Sequence, residues 1–198
     1  MNNKGFTLVE ILAMMVILAI LIAISVPNIT GIIAKQKENI SIEDANKLVE
    51  TAKVKVRTGS KADLPTGTNN CNIYTMSFLD TNEDYSTGTN GGTYDKYESF
   101  VIIKKKVTTS GSIHEVTYEN YVRLFEKVDG KNMGVEITKI EELEKNIKNH
   151  MKIFNSKVDI SPTSTISSIE TKINTINSSL CQHIEKVYVT NNKIISNP

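Results

Sequence analysis

"KGFTLVEILAMMVILAILIAISVP", residues 4–27, decides how the rest of the chain is read. From Phe6 to Ile24 the only polar side chains are Thr7 and Glu10. As a helix this run is ~28 Å long, close to the ~30 Å hydrocarbon core of a bilayer. A cleaved secretory signal would end in a small-residue site, but here "SVPNITGIIAKQKENI" follows with helical patterning maintained. An ordinary membrane anchor leaves Glu10 unexplained. A carboxylate in lipid is costly and calls for a partner, and no Lys, Arg or His lies between residues 5 and 34.

"KGFTLVEIL" resembles the prepilin processing motif of the type IV pilin superfamily, and the resemblance covers roughly residues 4–36. A basic residue and Gly precede the cut. Phe follows it, Glu lies four residues further on, and an unbroken apolar helix comes after. Pro27 stands where such pilins commonly carry a proline. The resemblance implies a leader at 1–5, a transmembrane or filament-core helix at 6–34 and a soluble head domain at 35–198. It implies cleavage between Gly5 and Phe6 by a prepilin peptidase, N-methylation of Phe6, and pairing of Glu10 with the Phe6 amine of a neighbouring subunit. Glu10 is then a registration device for docking into a filament. Other pilin subunits and the pilus assembly platform are the implied partners. The precursor waits in the cytoplasmic membrane with its head outside, and the assembled pilus is extracellular. No cofactor and no enzymatic activity are implied. A minor pilin serving adhesion, motility or aggregation is the favoured role. A pseudopilin of a type II secretion or competence DNA-uptake system shares the same motif, and a membrane-anchored binding domain is the third alternative. Pro27 and Gly31 predict a kink or meltable stretch near residues 23–31.

After Ala34 the chain turns amphipathic. Ile40, Ala45, Leu48, Ala52 and Val56 recur at helical spacing, which extends the first helix to about Arg57, where "TGS" ends it. The region 59–96 reads as a long connection, in which "IYTMSFL" (73–79), next to Cys71, reads as a short buried strand or turn. "YESFVIIKKKV" (97–107) and "SIHEVTYENYVRLFEKV" (112–128) read as strands, with turns at "TTSGS" and "DGKNMG" and a further short strand at "VEIT". Two helices follow, over 137–154 and 166–180, the second starting at Ser161–Pro162. A hairpin around Asn191–Asn192 closes the chain. The expected fold is α+β: a long N-terminal helix packed on an antiparallel sheet head, with additional C-terminal helices.

With a net charge of +1 over 198 residues, no basic excess points to nucleic acid, and no acidic tail is visible. Cys71 and Cys181 match no metal-ligand spacing. In an oxidising compartment they form one disulfide, worth roughly 4–5 kcal/mol in the chain-entropy model. In a reducing compartment they are two buried thiols. His114, His150 and His183 are scattered and accompany no nucleophile motif. Asp80, Asn82 and Asp84 alternate like the start of a calcium loop but lack its Gly and closing Glu, so no metal is expected. Lys104, Lys105 and Lys106 suit a solvated strand edge better than DNA contact, and neither DNA nor a host surface draws support from the residues.

Overall fold

The apolar run and the amphipathic run join in one helix, α1, over Leu8–Arg57. It stops where Gly59 adopts a left-handed φ of 63° and Thr58 N–H donates to the Val54 carbonyl, a glycine-type C-terminal stop. The structure, a computed structural model, describes residues 7–59, 62–80, 85, 87–154, 156–178 and 180–196, with the side chains of 25–28 also left undescribed. The chain divides into two compact units, Met1–Asn39 and Ile40–Pro198.

The second unit is an α+β head. After its share of α1 come β1 (Cys71–Thr75), α2 (Met76–Leu79), β2 (Thr93–Tyr94), β3 (Phe100–Ser110), β4 (Ile113–Val128) and β5 (Lys131–Lys139). Then follow α3 (Ile140–Lys145), α4 (Ile147–His150), β6 (Met151–Ile153), α5 (Ile166–Ile176), β7 (Ile184–Thr190) and β8 (Lys193–Ser196). They make one eight-stranded sheet in the order β6-β5-β4-β3-β1-β7-β8, with β2 on β4. All pairings are antiparallel except β1–β7. The β4–β5 turn places Asp129 and Gly130 at φ 46° and 76°, the mirror-image turn that matches strand twist.

Each face of the sheet has its own core, because successive strand residues point to opposite sides. Tyr74, Val101, Ile103, Val122, Leu124 and Tyr188 pack with Ala45, Leu48, Val49 and Ala52 of α1. Ile73, Phe100, Ile102 and Val187 pack with Ile166, Ile169 and Ile173 of α5. Tyr74 and Tyr188 stack at 4.8 Å. Thr75 and Thr165 cap α2 and α5 by accepting from backbone N–H groups of Phe78 and Ser168.

Four expectations need correction. The helix over 137–154 is instead the end of β5, two short helices broken at Asn146 (φ −153°) and the edge strand β6. Val135 and Ile137 are strand-spaced and Ile140, Leu143 and Ile147 helix-spaced, so a single period could not fit both. The helix α5 starts at Ile166, not at Pro162, because Thr165 supplies the cap. Ile40 is 46% exposed rather than inward-facing. The connection 59–96 holds β1, α2 and β2, and β1 lies between β3 and β7 in the sheet.

Candidate functional site

The first described residues of α1 form a reciprocal cap. The Thr7 backbone N–H and hydroxyl both donate to Glu10 Oε2, at 2.8 Å each. The Glu10 backbone N–H faces Thr7 Oγ1 at 3.4 Å and the Thr7 carbonyl at 3.1 Å. This is the T-x-x-E capping box, in which the N-cap and the third helical residue satisfy each other's open groups. Thr7 was therefore missed as a partner when Glu10 was read, although the three-residue spacing is visible in "TLVE". Within the chain Glu10 finds hydrogen-bond donors but no cation among the described residues.

From Leu8 to Ile33 every described side chain is exposed, including Leu12, Leu18, Ile22, Ile29 and Ile32. The helix is long and apolar enough to cross a membrane. The helix runs continuously past Pro27 and Gly31, although Pro27 has no N–H to donate to the preceding turn. A Cβ built on Gly31 would meet nothing within 4 Å among the described residues. Gly5 and Phe6 lie outside the described residues.

In the head, Cys71 and Cys181 are joined by a disulfide with Cα atoms 5.7 Å apart. The bond sits in the core on the α5 side of the sheet. Backbone bonds flank it, from Cys71 N–H to the His183 carbonyl (2.9 Å) and from Gln182 N–H to the Asn69 carbonyl (2.8 Å). Asp80 is an ion-pair partner of Lys96 at 3.1 Å, while Asn82 and Asp84 lie outside the described residues. No group of three or more His, Cys, Asp or Glu able to hold a metal occurs among the described residues. Lys105 Nζ donates to the Thr66 carbonyl and Lys106 pairs with Glu119 at 3.4 Å, so two lysines of the triplet have partners within the chain. The histidines are separate: His114 lies by Thr109, His150 by Thr138 and His183 by Glu170, at 3.0, 3.0 and 3.2 Å.

Three buried or half-buried acids tie loops to the sheet. Glu126 accepts from the Asn90 and Gly92 backbone N–H groups. A Cβ on Gly88 would come within 2.4 Å of the Glu126 side chain, so this loop closes only around glycine. Glu98 accepts from the Val158 N–H and from Arg123. Arg123 is fully buried, with its guanidinium near the rings of Phe154 (5.0 Å), Phe125 (5.2 Å) and Phe100 (5.9 Å). Burial pulls the Arg123 guanidinium below its ordinary pKa, while Glu136 and Glu98 pull it back up. Glu185 accepts from the Thr66 and Gly67 backbone N–H groups and from Asn70. Its burial raises the pKa, but these bonds together hold it below the usual carboxylate value. These networks fasten loops to the sheet.

A family model described as the prokaryotic N-terminal methylation motif matches residues 1–26. No curated protein and no solved structure gives a significant match to the chain. The motif and the apolar helix fit a membrane-anchored precursor. The motif implies processing by a peptidase and assembly with other pilin subunits, and it indicates a structural protein rather than an enzyme. The chain thus carries the type IV prepilin signature at its N-terminus, which supports a type IV pilin-like or pseudopilin protein.

Proposed function

We propose that this chain is a structural subunit of a type IV pilus, in the role of a minor pilin supporting adhesion, motility or aggregation. The leader 1–5 is removed by cutting between Gly5 and Phe6 on the cytoplasmic side, and Phe6 is then N-methylated. The helix over 6–34 holds the precursor in the cytoplasmic membrane, with the head over 35–198 outside. The assembly platform then draws it into an extracellular filament. One observation carries the reading: an apolar helix whose described side chains from Leu8 to Ile33 are all exposed, with a single ionisable residue, Glu10, among them.

Burial of that surface favours packing against neighbouring helices by ~25 cal/mol per Å² of apolar area. Cleavage creates an α-amine with a reference pKa of ~7.7–8.0, cationic at neutral pH. The amine of a neighbouring Phe6 supplies the charge that Thr7 cannot. Glu10 then exchanges the Thr7 cap for an ion pair only in the correct register. Pro27 and Gly31 mark the stretch where the helix can bend or melt in a packed filament.

The test is unreduced intact-mass and N-terminal peptide analysis of the protein from its own cells. The expected result is a chain that begins at N-methyl-Phe6 and contains a linked Cys71–Cys181 peptide. A chain still beginning at Met1 in cells with active prepilin peptidase would overturn the proposal. Processed chain that is missing from long surface fibres, with secretion or DNA uptake lost on its deletion, would replace the minor-pilin role with that of a pseudopilin.

A further inference from the structure

A groove of about 340 Å³ opens between the last turns of α1 and the β3–β4 face of the sheet. It lies outside everything the proposed function uses. Val56, Leu64 and Ile103 line it with apolar surface. Asn120, directly opposite Ile103 across the β3–β4 ladder, also lines it. This residue is only 8% exposed, yet its side-chain amide makes no hydrogen bond among the described residues. Asn72, by contrast, reaches the Asp63 carbonyl and Lys186 N–H, and Glu126 reaches the 90–92 loop. An amide that opens onto a groove and has no partner among the described residues is free to donate to and accept from a bound molecule.

The rest of the groove suggests that use. Tyr118 lies two residues from Asn120 on the same face of β4 and is 38% exposed. Its ring offers a flat apolar surface. Lys53 and Arg57 lie one helical turn apart on α1 and both line the groove. Lys53 pairs with Glu50 at 2.6 Å, and Arg57 has no acidic partner among the described residues. One planar ring, one amide that both donates and accepts, and two cations stand around an apolar floor.

We propose that this groove binds a carboxylated sugar of the uronic or sialic acid class. The C–H face of the sugar ring packs on Tyr118. Ring hydroxyls, themselves donors and acceptors, satisfy the Asn120 amide. The carboxylate meets the Arg57 fork, with Lys53 beside it. Peptides fit less well. An extended peptide binds along a free sheet edge, where main-chain groups are open, and this groove lies on a sheet face. A helix needs a longer apolar trough, whereas this volume sits at the low end of small-molecule clefts, roughly 300–1,000 Å³.

The experiment is calorimetric titration of the full chain in detergent micelles at low salt. The probes are an oligogalacturonate, sialyllactose, a neutral galactose oligomer and an oligoglutamate peptide. One of the two acidic sugars is expected to bind, with the neutral oligomer at least about tenfold weaker, the scale of one lost charge-assisted hydrogen bond. Arg57→Gln and Tyr118→Ala should each weaken binding by about tenfold or more. Asn120→Leu separates function from folding: it should leave the thermal midpoint unchanged, since the amide holds no other part of the head in place, and still abolish binding. The proposal fails if neither acidic sugar binds, or if acidic and neutral sugars bind equally. It also fails if sugar binding survives Asn120→Leu and Tyr118→Ala, or if only the peptide binds.

Discussion

Leu18 and Leu48 sit on the same helix and have opposite fates. Leu48 is completely buried against the sheet, while Leu18 is 56% exposed. The difference lies in what surrounds them. Around Leu48, Ala45, Val49 and Ala52 make a one-sided stripe, with Glu43, Lys47, Glu50 and Lys53 on other faces, so one side of the helix suffices for a core. Around Leu18 all sides are apolar, and no single packing surface could cover them. The head completes its burial within the chain. The first unit leaves its burial to lipid or to other subunits, and that separation lets one protein be both a stable domain and an assembly element.

The sharpest probe of the head side is Arg123. Arg123→Ala should destabilise the head by about 3–5 kcal/mol, because Glu98 and three phenyl rings lose their buried cation. The double change Arg123→Met with Glu98→Gln should recover much of that loss, and chemical denaturation in detergent would check both. Next in size is the leucine pair itself. Leu48→Ala should cost about 2–5 kcal/mol by cavity formation, whereas Leu18→Ala should move the head transition by less than ~0.5 kcal/mol. Equal losses would break the comparison.

Acid supplies a smaller test. Glu185 has its folded-state pKa held below the unfolded value. Its contribution is therefore present above the unfolded pKa, ~4.3, and is lost as pH falls through the lower folded value. Glu185→Gln should unfold more readily than the parent at neutral pH, and the two should converge in strong acid, as followed by thermal unfolding across pH. The smallest effect belongs to Val54, which is 53% exposed on the head half of α1. Val54→Ala should change stability by less than ~0.5 kcal/mol, and a large loss would mean that the outer face of the helix is also covered.

Most of the helix was legible because its signals are local. Its end at Arg57, the strand spans of β3 and β4 and the closing hairpin at Asn191–Asn192 all follow from periodicity and turn residues within a few positions. The capping box was equally local and still went unread, since Thr7 counted only as a polar interruption. What resisted reading was non-local. The strand β1 was half legible: "IYTMSFL" beside Cys71 reads equally as a short buried strand or a turn, because a run without alternation fits both, and every residue of "CNIYT" is buried, between β3 on one side and β7 on the other. Nothing near Asn120 or Arg57 in the chain hints that a helix end and a strand 63 positions apart would share a groove.

The amino-acid sequence by itself determined the processing motif, the all-round apolar helix and the acid within it, because lipid-scale hydrophobicity and helical period are properties of neighbouring residues. Tertiary structure alone decided the parallel β1–β7 pairing, the burial of Arg123 and the unpaired amide of Asn120. Those depend on contacts between segments distant in the chain, where burial changes the worth of a hydrogen bond or a charge and no local pattern records the outcome.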